Sequence, residues 1–379
     1  MINFFSPLKS NKILKKKILN SISKVIDSGN YILGENVKNF ESNLCKYLKV
    51  KYSLAVNSGT DALIISMLCL NIKVDDEVIV PSHTATATIS SIKLLKAKPV
   101  FVDVNLIDYT IDVDRIKKLI TPKTKAIIGV HIYGHPCDND KIIQICKKKG
   151  LFYIEDCSQA IGSKLNGNKV GIYGDLGCFS FYPTKNLSAI GDAGAVVTNN
   201  HKHYKKMLKI RQYGWNKNRI STTDGLNSRC DELQAAILNI KIKSLDKNIN
   251  KRRHIANFYN KRLRNLPIVL PVERNFCQHS FHLFVVRVQR SLRNKFIDYM
   301  KKKKIFLGIH YYPPSHLMSN FKSKKCKLFN TEKICKEVVS LPMYPELSKN
   351  NLEQIVKNII FFFKKFEKNF IRREKDTNF

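Results

Sequence analysis

From residue 52 to residue 198 the chain alternates short β-branched apolar runs with segments of helical length. The pattern predicts strands over 53–57, 77–81, 99–104, 126–131, 152–156, 177–181 and 195–198. Helices are predicted between several of them, over 62–70, 89–96, 113–119 and 139–149. Repeated strand–helix alternation implies a mostly parallel sheet covered on both faces. Asn166-Gly167, flanked by Lys164-Leu165 and Lys169-Val170, predicts a tight hairpin.

Beyond residue 200 the pattern changes. A helix is predicted over 229–245 with Leu233, Ile237 and Ile240 on one face. The C-terminal third predicts a strand over 280–288 and helices over 293–303 and 352–366. In the last of these Leu352, Ile355, Val356, Ile359 and Phe363 form an apolar stripe, the mark of a helix packed on a core. Two domains are expected: residues 1–245, and a smaller α/β domain over 246–379.

Composition narrows the classes. No stretch reaches the roughly 20 apolar residues of a membrane span, and Ser6, Pro7 and Lys9 break the short apolar start that a signal peptide needs. A cytoplasmic protein is expected. The ten cysteines contain no Cys-x-x-Cys pair, so they are expected as reduced, mostly buried thiols. His131 and His135 have helical spacing, but Gly134 and Pro136 break a helix there, and no metal site is expected. The net charge of +36 raises the question of a nucleic-acid partner. The lysines are spread in short runs along exposed helix faces and no nucleic-acid-binding motif accompanies them, so none is expected.

Three loops carry candidate chemistry. Cys178–Phe181 runs into a Pro turn that delivers Lys185 among small and apolar residues, where an amine sheds its proton most readily. Such a lysine is either a Schiff-base nucleophile or a long side chain that snorkels to water. Ser58-Gly59-Thr60 follows a strand and opens a helix; it reads as a phosphate cradle or as an ordinary N-cap. Asp156, ending an apolar strand, suits either a protonated ring nitrogen or a structural salt bridge. Taken together, the three are the parts that hold pyridoxal 5′-phosphate (PLP).

Several ordered blocks resemble the DegT/DnrJ/EryC1/StrS family of sugar aminotransferases. They are Gly29-Asn-Tyr-Ile-Leu-Gly34, Ser58-Gly-Thr-Asp-Ala-Leu63, Asp76-Glu-Val-Ile-Val-Pro81 and Glu155-Asp-Cys-Ser-Gln-Ala160. Further along come Phe179-Ser-Phe-Tyr-Pro-Thr-Lys-Asn-Leu187, Asn227-Ser-Arg229, Asp231-Glu-Leu-Gln-Ala-Ala236 and Leu341-Pro-Met-Tyr-Pro345. The resemblance implies the aspartate-aminotransferase fold (fold type I): a large domain with a mostly parallel mixed sheet and a small C-terminal α/β domain. It implies that Lys185 binds PLP covalently, that Asp156 pairs with the ring nitrogen and that Gln159 contacts the ring-oxygen side. Ser58, Gly59, Thr60 and Ser180 would hold the phosphate, and Asn227 would reach the phosphate site of a second subunit in a homodimer. Tyr31, Tyr182, Tyr213, His310, Tyr312 and His316 are implied on the sugar-nucleotide side.

The chain departs from the family pattern at Ala85, where many relatives carry an aromatic that packs on the cofactor ring; His83 or plain packing is left to cover that face. Cys157-Ser158, Ile161 and Cys230 depart as well, and none of these positions holds a reacting group. Ser82-His-Thr-Ala85 and Arg211-Gln-Tyr-Gly-Trp215 resemble the subgroup acting on carbon 3 of dTDP-3-keto-6-deoxyhexoses, with L-glutamate as amino donor. Carbon-4 transaminases, with UDP-, GDP- or dTDP-linked substrates, are the alternative. Lys185 argues against the sugar 3-dehydratase branch, which replaces that lysine. A basic regulatory protein that merely retains the fold is the rival from another class.

Overall fold

Apolar runs such as Val78-Ile79-Val80 and Ala126-Ile127-Ile128 have no polar face to turn to water, so they sit in the middle of a sheet covered on both sides. The computed structural model describes residues 1–321 and 326–376, with side chains as far as Lys365. Its main sheet holds β1 (Tyr52–Val56), β2 (Glu77–Pro81), β3 (Lys98–Val102), β4 (Thr124–Val130), β5 (Phe152–Asp156), β8 (Leu176–Ser180) and β9 (Gly194–Thr198). The strand order is β1-β9-β8-β5-β4-β2-β3. β9 is antiparallel to both of its neighbours, and the other pairings are parallel. β2 and β5 match their predicted limits, and the other strands lie within two residues of theirs. The short pair β6 (Lys164–Leu165) and β7 (Asn168–Lys169) closes through Asn166 and Gly167, both at positive φ, as the Asn-Gly turn predicts.

Helices cover the two faces: α3 (Gly59–Cys69), α4 (Thr86–Leu94), α5 (Val113–Ile116), α6 (Asn139–Lys149) and α7 (His201–Ile210) among them. α3 is buried on nearly every side, from Ala62 to Met67, and begins with Ser58 Oγ accepting from Asp61 N at 3.1 Å. α6 is fixed at both ends, by the Asp138 carboxylate on Lys141 N and by Gly150 at φ 65°. Before the sheet come α1 (Pro7–Ser28) and α2 (Glu35–Leu48). Buried Glu232 caps α2, accepting from Asn36 N and Val37 N at 2.9 Å each.

The predicted helix over 229–245 is instead α8 (Glu232–Lys241), a 3-10 turn (Ile242–Ser244) and then the 19-residue α9 (Leu245–Leu263). On α8 the buried residues are Glu232, Ala235, Ala236, Ile237, Leu238 and Lys241. Of the predicted face only Ile237 is buried; Leu233 and Ile240 are half-exposed.

The C-terminal part builds a smaller sheet, β10-β12-β13 (Ile268–Val269, Phe284–Val288, Val338–Leu341). β11 (Cys277–Gln278) pairs with β6 of the hairpin. Around this sheet lie α10 (Arg290–Lys302), α11 (Phe329–Glu337) and α12 (Lys349–Asp376). The five stripe residues of α12 are buried in a core with Tyr259, Phe284 and Phe296, and Ile2 from the start of the chain joins them. α9 spans both cores: Leu245 and Ile249 pack under the main sheet, Ile255 to Leu263 under the smaller one.

One carboxylate ties the two sheets together. Asp103, 1% exposed after β3, accepts from Asn330 N (3.1 Å), Thr331 N (2.8 Å) and the Thr331 hydroxyl (2.7 Å) at the start of α11. No helix among the described residues is long and apolar enough to cross a membrane.

Candidate active site

Parallel strands align their carboxyl ends, and three site loops leave from that edge. Ser58-Gly59 follows β1, Asp156 ends β5 and Ser180 ends β8, with Gly194 of β9 in register between Val56 and Ser180. The approach of the loops is close. A Cβ on Gly59 would sit 2.5 Å from Ser180 Cβ, and one on Gly194 would sit 2.3 Å from Ser58 O. Two glycines therefore let the opening turn of α3 settle onto the end of β8. The free N–H groups of that turn, Thr60 included, and the Ser180 hydroxyl lie on one small surface.

Asp156 is 4% exposed. Its Oδ2 accepts from the Thr88 hydroxyl at 2.9 Å and its Oδ1 from Ser158 N at 3.1 Å. Each oxygen keeps a lone pair for a further donor. The carboxylate charge reaches Lys185 and Tyr311.

Lys185 is half-buried as a residue, but packing is dense around its amine. Burial lowers its pKa to about 8, against the opposing pull of Asp156. About a tenth is then the free, nucleophilic amine at pH 7, roughly a few hundred times the fraction for an ordinary lysine. The turn that delivers it is closed by Lys185 N donating to Tyr182 O at 2.8 Å.

Gln159 is held at both ends: Oε1 accepts from Tyr133 N and Nε2 donates to the Tyr311 hydroxyl, each at 2.8 Å. One amide N–H remains free for a ligand. His83 is fully buried, and burial, then the nearby His310, hold its pKa at about 3. The Tyr133 hydroxyl donates to His310 O, so it accepts from His83 Nε2–H at 2.6 Å. His83 Nδ1 then accepts from the Cys335 thiol at 3.3 Å. Both nitrogens of His83 are thus occupied, which leaves only its ring face to touch a cofactor.

The residues expected on the substrate side divide. Tyr31, Tyr182, Tyr213 and Tyr312 are exposed, at 51, 50, 38 and 56%. Tyr213 packs on Trp215 with centroids 4.8 Å apart, and Tyr312 faces Arg293. His310 is half-buried, its Nδ1 2.9 Å from Ser340 Oγ, and burial with the Lys185 charge pushes its pKa down to about 4. His316 does not fit the role. It is wholly buried, with Nδ1 2.7 Å from Ser82 Oγ and Nε2 3.4 Å from Glu332, so it has no free nitrogen for a substrate. Asn227 is exposed, and its backbone bridges to Gln212.

Four residues that sequence reasoning missed belong to this neighbourhood: Thr88, Tyr133, His282 and Tyr311. Thr84, ahead of α4, and Thr88 in its first turn bring their hydroxyls to 2.9 Å, a contact that the loop conformation at Ala85 sets. His282 is buried and its Nδ1 has no partner among the described residues. Burial, then the charges of Lys185 and Arg252, keep it neutral. Tyr133 and Tyr311 meet the site only through tertiary packing.

His131, Glu155 and Cys157 bring their ligand atoms within 4.8 Å of one another. The lone pairs of Glu155 and His131 are in use. Glu155 accepts from His131 Nε2, Asn139, Gly171 N, Tyr173 N and Gly174 N, and His131 Nδ1 accepts from Cys137 N. Burial works to raise the Glu155 pKa, and this set of donors outweighs it and holds the value down. The trio is a structural junction that locks the turn before β8.

A family model for the DegT/DnrJ/EryC1/StrS aminotransferases matches residues 12–360. The dTDP-3-amino-3,6-dideoxy-alpha-D-galactopyranose transaminase of Aneurinibacillus thermoaerophilus is 41% identical over 360 residues, 95% of this chain and 99% of its own. The pleiotropic regulatory protein of Geobacillus stearothermophilus is 37% identical over 359 residues, 93% and 96% of the two chains. Among solved structures, S. venezuelae DesV in complex with a ketimine intermediate superposes with a TM-score of 0.91 at 34% identity, over 94% of this chain and 97% of that one. NtdA from Bacillus subtilis, with bound cofactor PMP, gives 0.87 at 32% identity, over 92% and 82%.

Proposed function

Because the chain belongs to the DegT/DnrJ/EryC1/StrS aminotransferase family, we propose that it moves the amino group of L-glutamate to carbon 3 of a dTDP-linked 3-keto-6-deoxyhexose. It is a PLP-dependent sugar-nucleotide aminotransferase. The observation that carries the reading is the meeting of Lys185, its pKa near 8, with the buried carboxylate of Asp156 at the edge where Gly59 touches Ser180.

The residues suit the cofactor. The α3 N-terminus with Ser58, Gly59, Thr60 and Ser180 offers backbone and hydroxyl donors to a phosphate. The spare lone pairs of Asp156 suit a protonated ring nitrogen, and the spare N–H of Gln159 suits a ring oxygen. Bound there, PLP supplies an electron sink that lets an amino acid part with its α-proton. Lys185 Nζ is the base positioned to take that proton and to return it. Thr88 keeps the Asp156 carboxylate oriented, and neutral His282 and His310 add no positive charge that would repel the lysine's protonated state further.

We further propose a cytoplasmic homodimer in which exposed Asn227 reaches the partner's phosphate site. Leu8, Ile13, Leu19 and Ile26 of α1, each more than half exposed, supply apolar surface for such an interface. The free state of all ten cysteines suits a reducing compartment. Of the sugar-side candidates we retain Tyr31, Tyr182, Tyr213, His310 and Tyr312. The chain divides best at residues 245/246, where α9 begins and passes from one core to the other.

The test is a panel of keto sugar nucleotides incubated with L-glutamate, the products read by mass and NMR. The expected product is a dTDP-3-amino-3,6-dideoxyhexose together with 2-oxoglutarate. Amination at carbon 4 alone would move the assignment to that subgroup. Salt-sensitive nucleic-acid binding without amine formation would favour a regulatory role.

A further inference from the structure

His310 stands on an irregular segment, 305–310, that main-chain hydrogen bonds tie down at two places. At Gly308, N donates to Ser340 O of β13 at 3.0 Å and O accepts from Ser340 N at 2.8 Å. At 304–306 the partner is the start of the chain: Ile2 N donates to Lys304 O at 2.8 Å, and Phe306 N donates to Ile2 O at 3.0 Å. Met343 N then reaches Phe4 O at 3.4 Å, and Ile2 is buried in the smaller core. The arm is therefore anchored by its backbone and by Ile2, whatever side chain stands at position 4.

The half-buried ring of Phe4 lies against the His310 imidazole, with centroids 5.3 Å apart and planes inclined by 33°. Gly308 is the floor of this contact. A Cβ there would come within 2.9 Å of His310 Cε1 and 3.4 Å of Phe4 Cε2, so glycine is what lets the two rings close over it. Tyr311 meets the imidazole edge-on at 5.6 Å, and Ser340 Oγ lies 2.9 Å from Nδ1. The imidazole is thus held by two aromatic rings and a hydroxyl, and Nε2 is the nitrogen left to a ligand. Its other ionisable neighbours are Lys185, His83, His282 and Tyr133.

We propose that Phe4 is a positioning residue of the active site: its ring fixes the His310 imidazole so that Nε2 is presented to the sugar nucleotide. The proposal rests on the reading that places His310 on the sugar side. A terminal aromatic that merely fastened the arm would duplicate what Ile2 and three main-chain bonds already do. The ring also shields the imidazole from water. His310 is held neutral, at a pKa of about 4, by burial and then by the Lys185 charge, and Phe4 supplies part of that burial. A residue some 300 positions away in the sequence thereby sets both the aim and the charge of a substrate-side group.

Phe4→Ala in the cofactor-loaded enzyme tests this in two ways. The first is histidine NMR, with the His310 signal identified by its loss in His310→Gln. His310 should titrate about one pH unit or more higher in Phe4→Ala, and as in the wild type in Phe4→Tyr, which keeps the ring. Gly308→Ala, which leaves Phe4 in place but parts the rings, should move the signal in the same direction. An unchanged titration in Phe4→Ala overturns the proposal. The second is kinetic. Phe4→Ala should lower kcat/KM for the keto sugar nucleotide about tenfold and leave that for L-glutamate within about twofold. Added to His310→Gln, it should cost less than about twofold more. Equal losses for both substrates, or a full further loss in the His310→Gln background, overturn the proposal. A shifted His310 titration in Phe4→Ala, with a wild type that makes no amino sugar, would sink the proposed function and leave the hold of Phe4 on His310 standing. An active wild type with an unshifted titration would do the reverse.

Discussion

Gly59 and Ser180 touch so closely that the hydrogen on the Gly59 α-carbon is the only substituent the space admits; a methyl group there would come within 2.5 Å of Ser180 Cβ. This contact joins the loop after β1 to the end of β8, two strands separated in the sheet by β9. By helix propensity alone alanine is preferred to glycine by up to about 1 kcal/mol. Gly59→Ala is nonetheless expected to weaken PLP binding about tenfold or more, because the loop must lift off Ser180 and its N–H groups lose their aim. Equilibrium dialysis of the cofactor reads this. Ser180→Gly, added to Gly59→Ala, should recover part of the affinity; no recovery means that the clash is not the cause.

The Lys185 pKa, near 8 against an ordinary 10.5, has a stability consequence of definite sign. Between those values the unfolded chain binds more protons than the folded one, so this residue makes stability rise with pH across that window. Below pH 8 the folded protein carries a charge in a poorly solvated place. Lys185→Met should therefore raise the melting temperature of the cofactor-free protein at pH 7 by about 2–4 °C, and the gain should shrink toward pH 10. The same variant should lose the visible band of lysine-bound cofactor and all transamination. A band that persists sinks the assignment of Lys185.

If Asn227 serves the neighbouring subunit, two inactive variants should repair one another. Lys185→Ala mixed with Asn227→Ala gives, after subunit exchange, mixed dimers with one site intact and one doubly defective. About a quarter of wild-type activity is expected, since half of the dimers are mixed. Asn227→Ala that loses activity but never complements would place its role within its own subunit.

His316→Ala separates packing from substrate binding. The change removes the ring that joins Ser82 after β2 to Glu332 of α11, and should cost roughly 1–3 kcal/mol of stability. KM for the sugar nucleotide should stay within about twofold once measured below the new melting range. A large rise in KM with unchanged melting would restore His316 to the substrate side.

How far the sequence carries depends on what each residue packs against. The strands of the main sheet were legible because Val78–Val80 and Ala126–Ile128 leave no polar alternative, and the α12 stripe because all five of its apolar residues turn inward. α1 was not legible: over 22 residues only Ile18 and Val25 are buried, too few to make a stripe. α9 eluded the pattern because Arg252 lies among its buried positions, its charge met by main-chain carbonyls that no local reading supplies. On α8, Ala235, Ala236 and Leu238 face inward because α2 and α1 pack there, so the larger residues Leu233 and Ile240 do not define the buried side. In the site, Lys185, Asp156 and Gly59 stand in blocks with local logic. Tyr311 reaches Gln159 across 152 positions and Tyr133 reaches His310 across 177, contacts that exist only once the two sheets are assembled.

The Asp103 clasp constrains how this enzyme can move. Swinging the smaller sheet away from the larger would strip a buried carboxylate of three donors and uncap α11 in the same motion. Any relative motion of the two sheets must therefore pivot at this corner or break its hydrogen bonds. On the proposed assignment, a sugar nucleotide would meet a rear wall already set, and selectivity between epimers would fall to the exposed tyrosines and to residues of a second subunit.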